Sequence, residues 1–588
     1  MPSARTLLPG LLLTVYVAIY ILPLGVRPLY TPDESRYAEV AREMRESGDW
    51  TVPRLNGRRY FEKPAMGYWL TALSQSILGE NAFASRLPGA LAAGLMLLAV
   101  WWLVRLTGGT PLQAALAAGV LLSCAEMYGV GTYLVLDMLL AAAVTAGLAC
   151  FYAACRETRT VQRNAFLALF GLACGAAFLI KGFVGLAVPC VVIAPFVFWQ
   201  QFPEGLWPVV RARSVGTLAR AALSAAGQLA RFTPIPLAAA AAVALPWSIM
   251  IHQREPDFWR YFFWVQHVQR AAGDDAQHAA PFWYYLPVLI GGAMPWSAFL
   301  PAAAAGTRGP ELLRPFTRFL LCWAVAPFLF FSAMKGKLGT YILPCFPALA
   351  ILTAAGLTRY LEAGRRRSFD LAALIPAGIL LLGAMGLGIW HAAGRRPALF
   401  GPRENWKLLA GCAALAAWAA CAWLAVRAAA TPRKLLLMVA APLALCLAMP
   451  FVVPGRISAN RSPDALLERN RGRIPQDSTV YARSLLAHSC AWNLGRTDIV
   501  LFDSAGEFEY GIENGPDPAA GRIKGKDFAA ALARMPREQV VTLAIERKRY
   551  EEIASQLPAP SFEDGEGKLL LLQFRGGGMA PDARRVHD

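Results

Sequence analysis

The chain has 588 residues, of which 56% are hydrophobic and only 16% charged, with a net charge of +18. Soluble domains carry about 25% charged residues, so this composition excludes an ordinary soluble enzyme. In a membrane protein, Lys and Arg set the topology and attract anionic lipid head groups, so we expect membrane lipids and no nucleic acid as partners.

Apolar windows long enough to cross a bilayer recur along most of the chain. A membrane-spanning helix needs about 20 apolar residues. The runs that meet this need are 8–27, 84–104, 111–128, 138–154, 164–180, 183–200, 234–251, 285–305, 317–333, 340–358, 369–391, 407–427 and 434–453. The predicted fold class is therefore an all-α polytopic membrane protein with about thirteen transmembrane helices in residues 1–454.

The segment 455–588 is polar and differs in pattern from the rest. Strand-like runs alternate in it with helical ones; the strands are 479–481, 499–502, 540–545 and 569–574, and the helices are 526–534 and 551–556. This alternation predicts a small soluble α/β domain, with a disordered end at GGGMAPDARRVHD.

The distribution of Lys and Arg predicts that the loops with reactive side chains lie on one face. Basic residues crowd alternate loops, such as 156–163 and 365–367, which places those loops and the N-terminus inside. The loops 28–83 and 252–284 and the polar tail then lie outside. In a Gram-negative inner membrane, the active site and the C-terminal domain would face the periplasm.

The first outside loop begins with signals for a helix over residues 32–47. Thr31 suits the N-cap, Pro32 the first helical position and Glu34 a capping box, while Gly48 suits the stop. One face of this helix is apolar and is predicted to lie on the membrane or on the helix bundle; it holds Tyr37, Val40, Ala41 and Met44.

Asp33 and Glu34 open this helix as an acidic pair. Asp33 is predicted to project into the centre of the apolar face, where a carboxylate needs a partner or a catalytic role. Glu34 is predicted to lie on the flank, where charge at a helix N-terminus accounts for much of its presence. We therefore predict Asp33 as the main catalytic carboxylate, with Asp137, which lies in an apolar turn, and Glu34 as further candidates.

Cationic side chains on the same face fit a lipid-phosphate ligand. Lys63 lies among aromatic residues, Lys181 separates two spans, and Lys335 and Lys337 lie among glycines at a span end. Ammonium groups bind phosphate oxygens through charge-assisted hydrogen bonds. The simpler alternatives are snorkelling for Lys63 and helix capping for Lys181.

No sequence motif for a nucleotide, haem or flavin is found, so no cofactor is required. A divalent metal is a weaker alternative, with Glu62 and His267 as its ligands. A metal site needs two or three converging ligands, and single histidines usually have other partners.

Five segments together resemble a known family. They are DExxYA at 33–38, GDW-x-VPRLNG-x-x-YFEKP at 48–64, the Lys181-Gly182 pair, FWRYFFWVQHVQR at 258–270 and KGKLGTYILP at 335–344. In this combination they look like the bacterial aminoarabinose transferases of lipid A, which are GT-C glycosyltransferases related to protein O-mannosyltransferases. The resemblance covers residues 1 to about 350, and the architecture with a C-terminal domain also matches.

The resemblance implies transfer of 4-amino-4-deoxy-L-arabinose from undecaprenyl phosphate to a phosphate of lipid A, by direct displacement with inversion. The product would carry less negative charge and attract polymyxin less strongly. Asp33, or Asp137, would orient the acceptor, bind the sugar amine or stabilise the oxocarbenium-like centre. The residues implied for the donor phosphate are Lys63, Arg36, Tyr37, Tyr60, Lys181, Arg270, Lys335, Lys337 and Tyr341.

Three alternatives stay open at this point. Another GT-C transferase, with a different polyprenyl-phosphate sugar or with a protein or core-sugar acceptor, would share these motifs. A lipid-linked sugar flippase would hold its ionisable residues nearer the bilayer midplane. The polar tail could also serve as a scaffold for a partner.

Overall fold

The computed structural model of the protein describes residues 4–202, 214–269, 279–395, 399–515, 517 and 521–577. Its membrane-spanning segments are helical. The helices are α1 (Ala4–Tyr16), α2 (Asp33–Ser47), α3 (Met66–Leu78), α4 (Ala82–Leu106), α5 (Pro111–Leu122), α6 (Ala125–Gly131), α7 (Leu136–Arg156), α8 (Thr160–Lys181), α9 (Val184–Gln200), α10 (Val215–Phe232), α11 (Pro234–Arg254), α12 (Tyr285–Gly292), α13 (Leu300–Gly306), α14 (Pro315–Ala333), α15 (Phe346–Glu362), α16 (Arg367–Ala392), α17 (Asn405–Arg427), α18 (Thr431–Ala440) and α19 (Leu443–Val452).

Ten helical segments among the described residues are long and apolar enough to cross a membrane, or up to twelve if each of two bent pairs is one span. The bent pairs are α5 with α6, at 67°, and Phe282–Gly292 with Trp296–Gly306, at 99°. Helix α9 is apolar but shorter. The multipass membrane fold is confirmed, whereas the count of thirteen is not, because two of the predicted runs are bent and a third is short.

The first outside loop contains α2, a two-stranded hairpin and α3. The hairpin pairs β1 (Arg54–Leu55) with β2 (Arg58–Arg59). Helix α2 ends at Gly48, as predicted, in a left-handed conformation with φ 68°. The predicted capping box is wrong, because Pro32 is the N-cap and no side chain caps the helix. The Thr31 hydroxyl instead donates a hydrogen bond to the carbonyl of Leu485.

The C-terminal domain is a mixed sheet with helices around it. Its helices are α20 (Gly455–Arg461), α21 (Asp464–Asn470), α22 (Ser484–Leu494), α23 (Glu509–Glu513), α24 (Gly525–Arg534) and α25 (Arg547–Ile553). Its strands are β3 (Thr479–Arg483), β4 (Val500–Phe502), β5 (Arg522–Ile523), β6 (Val540–Glu546), β7 (Phe562–Glu566) and β8 (Leu569–Arg575), in the order β5-β4-β3-β6-β8-β7. The α/β expectation is confirmed.

The carboxyl ends of the parallel strands face α2. Strand β3 pairs in parallel with β4 and β6, and α22 follows β3 directly. Helix α22 packs against α2, so α2 is enclosed between the spans and the C-terminal domain. This burial explains why the charged side chains of α2, such as Arg42 and Glu39, are inside the protein rather than at a membrane surface.

Candidate active site

Asp137 and Lys181 form a buried ion pair at one end of the membrane part. Asp137 lies in the first turn of α7 and Lys181 in the last turn of α8, and the distance from Oδ1 to Nζ is 2.6 Å. Neighbouring antiparallel helices bring such ends together. The Lys181 ammonium lies 4.4 Å from the ring centroid of Tyr341, and the charge of Asp33 also acts on it.

Arg36 is the centre of a second charged group. Its Nη2 lies 2.5 Å from Oδ1 of Asp33, its Nη1 donates to the carboxylate of Glu507, and its Cζ lies 4.9 Å from the ring centroid of Tyr37. The Arg36 side chain is 6% exposed and that of Asp33 is 43% exposed. The prediction that Asp33 projects into the apolar interior is therefore wrong, because its carboxylate is half-exposed beside Arg36.

Glu34 occupies the interior position instead. It accepts from Arg86 at 2.7 and 2.9 Å, from Arg27 at 2.5 Å, and from the backbone amides of Tyr30 and Leu134, both at 3.0 Å. Burial alone would raise the pKa of Glu34, but the two guanidinium groups lower it to about 2. Glu34 is neither on the flank nor a helix cap; it anchors α2 to the spans.

Tyr37 lies within electrostatic range of both charged groups. Burial raises the pKa of its hydroxyl; Arg36 opposes this effect, and the negative charges of Asp33, Glu507 and Asp137 add to it. All four charged groups therefore act on one phenol. Asp33 and Asp137 are 104 positions apart in the sequence, and the fold brings them to the same site, as the predicted topology required.

Lys63 joins the site from the segment after the hairpin. Its Nζ donates to the carbonyl of Glu62 at 3.0 Å, and its charge helps to lower the pKa of Glu507. Tyr60 and Tyr68 are buried nearby, and burial raises the pKa of both hydroxyls. In the described part of the chain the Tyr68 hydroxyl has no hydrogen-bond partner.

Lys335 and Lys337 lie in a connection that pairs with residues 279–280. The Lys337 ammonium donates to the carbonyls of Ala280, at 3.0 Å, and of Met334. The Lys335 carbonyl accepts from the amide of Ala280 at 3.3 Å. These contacts hold the connection together, and a role in phosphate binding stays a prediction for both lysines.

Arg270 lies outside the described residues, and so does the side chain of His267. Glu62 is described and is largely buried beside Lys63. Across the ranges that the structure describes, no group of three or more His, Cys, Asp or Glu side chains could hold a metal ion. The metal hypothesis stays a prediction.

Glu507 and His488 are the site residues that the sequence did not reveal. His488 is buried, and its Nε2 lies 4.0 Å from the Glu507 carboxylate. Burial, with the charge of Arg36, lowers the pKa of His488 to about 3, so the imidazole is neutral. Both residues come from the polar tail, where no local pattern distinguishes them. Arg86, by contrast, had a signal, because it is a lone charge at the start of a long apolar helix.

Two protein-family models match different parts of the chain. Residues 6–262 match the family model described as dolichyl-phosphate-mannose-protein mannosyltransferase, and residues 458–573 match the one described as arabinosyl transferase ArnT, C-terminal domain. The protein is a membrane glycosyltransferase of the GT-C class that uses a polyprenyl-phosphate-linked sugar.

Two curated relatives define the family more closely. Proteins of Aeromonas salmonicida and Yersinia enterocolitica, both named undecaprenyl phosphate-alpha-4-amino-4-deoxy-L-arabinose arabinosyl transferase, are 38% and 36% identical over 565 and 575 residues. The alignments cover 95% and 96% of this chain and 98% of each relative. The chain belongs to this family of arabinosyl transferases.

A solved structure shows the same fold. The crystal structure of ArnT from Cupriavidus metallidurans bound to undecaprenyl phosphate superposes with a TM-score of 0.76 at 22% sequence identity. The match covers 97% of this chain and 98% of that one. The arrangement of membrane helices and C-terminal sheet is therefore shared over the whole length.

Proposed function

We propose that this protein transfers 4-amino-4-deoxy-L-arabinose from undecaprenyl phosphate to a phosphate group of lipid A. The reaction takes place on the periplasmic face of the bacterial inner membrane. The added sugar brings an ammonium group to the phosphate, which lowers the negative charge of lipid A and weakens its attraction to polymyxin and other cationic peptides.

The proposal rests mainly on two acid–cation pairs, Asp33–Arg36 and Asp137–Lys181. Charged groups of both pairs act on the hydroxyl of Tyr37. Guanidinium and ammonium groups beside buried phenols suit the phosphate of a lipid-linked donor. The printed name of the relatives supplies the sugar and its carrier. The excess of Lys and Arg in the loops at the opposite end supports a periplasmic position for the site.

In the proposed reaction the acceptor phosphate is already an anion near neutral pH, so it needs little help from a general base. Its oxygen attacks the anomeric carbon from the face opposite the donor phosphate. The new carbon–oxygen bond forms as the bond to undecaprenyl phosphate breaks, and the leaving phosphate keeps the electron pair. The anomeric configuration is inverted.

Each charged group then has one task. Arg36 and Lys63 bind the donor phosphate and stabilise the charge that it gains on leaving. Asp33, half-exposed beside Arg36, stabilises the positive charge that develops at the anomeric centre. Asp137 holds Lys181 in place, and Tyr60 and Tyr341 line the phosphate position.

The proposal is tested in bacterial cells that lack their own aminoarabinose transfer to lipid A but make the donor. The chain is expressed in them and lipid A is analysed by mass spectrometry, with Asp33→Asn as a matched variant. An aminopentose on lipid A in cells with the unchanged chain supports the proposal. Unchanged lipid A, or a sugar on protein or core glycan instead, contradicts it.

A further inference from the structure

Glu126 is an acidic residue of the membrane part for which the reaction above has no role. It lies in the first turn of α6, directly after the 67° bend that follows α5. Helix α6 packs against α12 and against the 3-10 turn Gly339–Cys345, which carries Tyr341. Asp137 is close enough for its charge to act on Glu126.

Among the residues that the structure describes, no cation lies beside the carboxylate of Glu126. Glu34, Asp33 and Asp137 are paired with Arg86, Arg36 and Lys181, respectively. Within the described ranges of the chain, Glu126 makes neither an ion pair nor a hydrogen bond through its carboxylate. An unpaired acid in a membrane span is costly, and the N-terminus of so short a helix stabilises it only weakly.

Helix α12 packs closely against Glu126. Gly292 of α12 faces it, and a Cβ on Gly292 would stand 2.9 Å from the Glu126 Cβ and 3.2 Å from Oε2. A glycine at this position permits the close approach of α12, and a larger side chain would crowd the carboxylate. Glu126 is only partly buried, so its side chain stays accessible.

We propose that Glu126 binds the ammonium group of the donor sugar and so selects an amino sugar over a neutral one. This inference rests on the proposed function, whose donor carries an amine on its sugar. An aliphatic amine is protonated near neutral pH and needs a carboxylate when it leaves water. The other described acids near the site, including Glu507 beside Arg36 and Glu62 beside Lys63, already have cations, which leaves Glu126 for the ammonium group.

The test compares two lipids on the purified full-length chain in detergent. One is undecaprenyl phosphate-linked 4-amino-4-deoxy-L-arabinose, for which KM is measured. The other is the same lipid with a hydroxyl in place of the amine, for which the inhibition constant is measured. The variants are Glu126→Gln and Glu126→Asp, and Glu362→Gln, an exposed acid at the far end of α15, is the matched control.

We expect Glu126→Gln to raise KM for the amino lipid at least about tenfold while the inhibition constant of the hydroxyl lipid changes less than about twofold. Glu126→Asp keeps the charge, so its KM for the amino lipid should lie between those of Glu126→Gln and the unchanged chain. This variant also tests the assignment if Glu126→Gln does not fold. Equal shifts for both lipids, or no shift for either, would overturn the assignment. An unchanged chain that transfers no aminoarabinose would contradict the proposed function itself, and this role with it.

Discussion

Glu507 of the C-terminal domain and Arg36 of α2 form an ion pair although 471 positions separate them in the sequence. Arg36 is almost fully buried and also holds Asp33, so the C-terminal domain supplies one of the two carboxylates on this guanidinium. Burial would raise the pKa of Glu507, but Arg36 lowers it, and the pair is therefore charged. The domain completes the candidate site rather than being a module attached beside it.

Replacing Glu507 by Gln should lower sugar transfer about tenfold or more. The substitution leaves the Arg36 guanidinium with Asp33 alone, and loss of one partner from a buried charge pair costs about 2 kcal/mol or more. Transfer of labelled sugar by the purified chain measures the effect. Glu509→Gln, an exposed acid two positions further on, is the control and should leave the rate unchanged. Equal rates for both variants would show that the ion pair has no role in the reaction.

Replacing Tyr341 by Leu should lower transfer about tenfold, whereas Tyr341→Phe should lower it much less. The ring packs on the Lys181 ammonium, and a cation–π contact of this kind contributes about 0.5–2 kcal/mol. Phe keeps the ring and removes only the hydroxyl. If Phe is as harmful as Leu, the hydroxyl itself acts on the substrate and the stacking is secondary.

Glu34→Gln should destabilise the protein strongly. The change leaves Arg86, which is fully buried, without a carboxylate, and breaking a buried ion pair costs about 3–5 kcal/mol. The midpoint of thermal unfolding in detergent measures this loss. Glu538→Gln removes an exposed carboxylate that makes no ion pair among the described residues, and it should have a small effect. A stable Glu34→Gln variant with no transfer activity would instead make Glu34 a catalytic acid.

His488 should make the protein sensitive to mild acid. The pKa of His488 is about 3 in the folded state, whereas the ordinary value is 6.5. Between these two pH values the imidazole is protonated in the unfolded state but stays neutral in the folded state. Stability is therefore complete above pH 6.5 and falls as the pH drops from there towards 3; the loss at pH 5 is about 2 kcal/mol.

The test of this sensitivity is the change in Tm between pH 7.5 and pH 5. His488→Gln should show a smaller decrease than the unchanged chain, because Gln binds no proton in either state. His391→Gln, in the membrane part, is the control and should show the full decrease. The same decrease in all three proteins would contradict the assignment.

The sequence predicted the membrane fold and which reactive loops share a face, because both depend on local patterns. The apolar runs predicted the membrane-spanning helices. The excess of basic residues in alternate loops predicted that Asp33, Lys63, Asp137 and Lys181 lie on one face of the membrane. The structure confirms that Asp137 and Lys181 meet. Bends were harder to predict: α5 and α6 form one apolar run in the sequence, and only packing with neighbours fixes the 67° angle.

The orientation of the acidic pair could not be predicted. Helical geometry alone placed Asp33 inside and Glu34 on the flank, but the deciding partners, Arg86 and Arg27, come from other segments. Contacts of this range depend on the tertiary fold rather than on helix periodicity. Glu507 could not be predicted for the same reason, because in the sequence it has the pattern of an ordinary surface acid.

We propose that Asp33–Arg36 and Asp137–Lys181 form one site for transfer of a lipid-linked sugar. The most direct measurement follows labelled aminoarabinose from undecaprenyl phosphate to lipid A with the purified full-length chain, beside folded Asp33→Asn and Lys181→Met variants. We predict transfer by the unchanged chain and a loss of at least about a hundredfold in each variant. Label that stays on the donor with the unchanged chain, or variants that transfer at the full rate, would contradict the account.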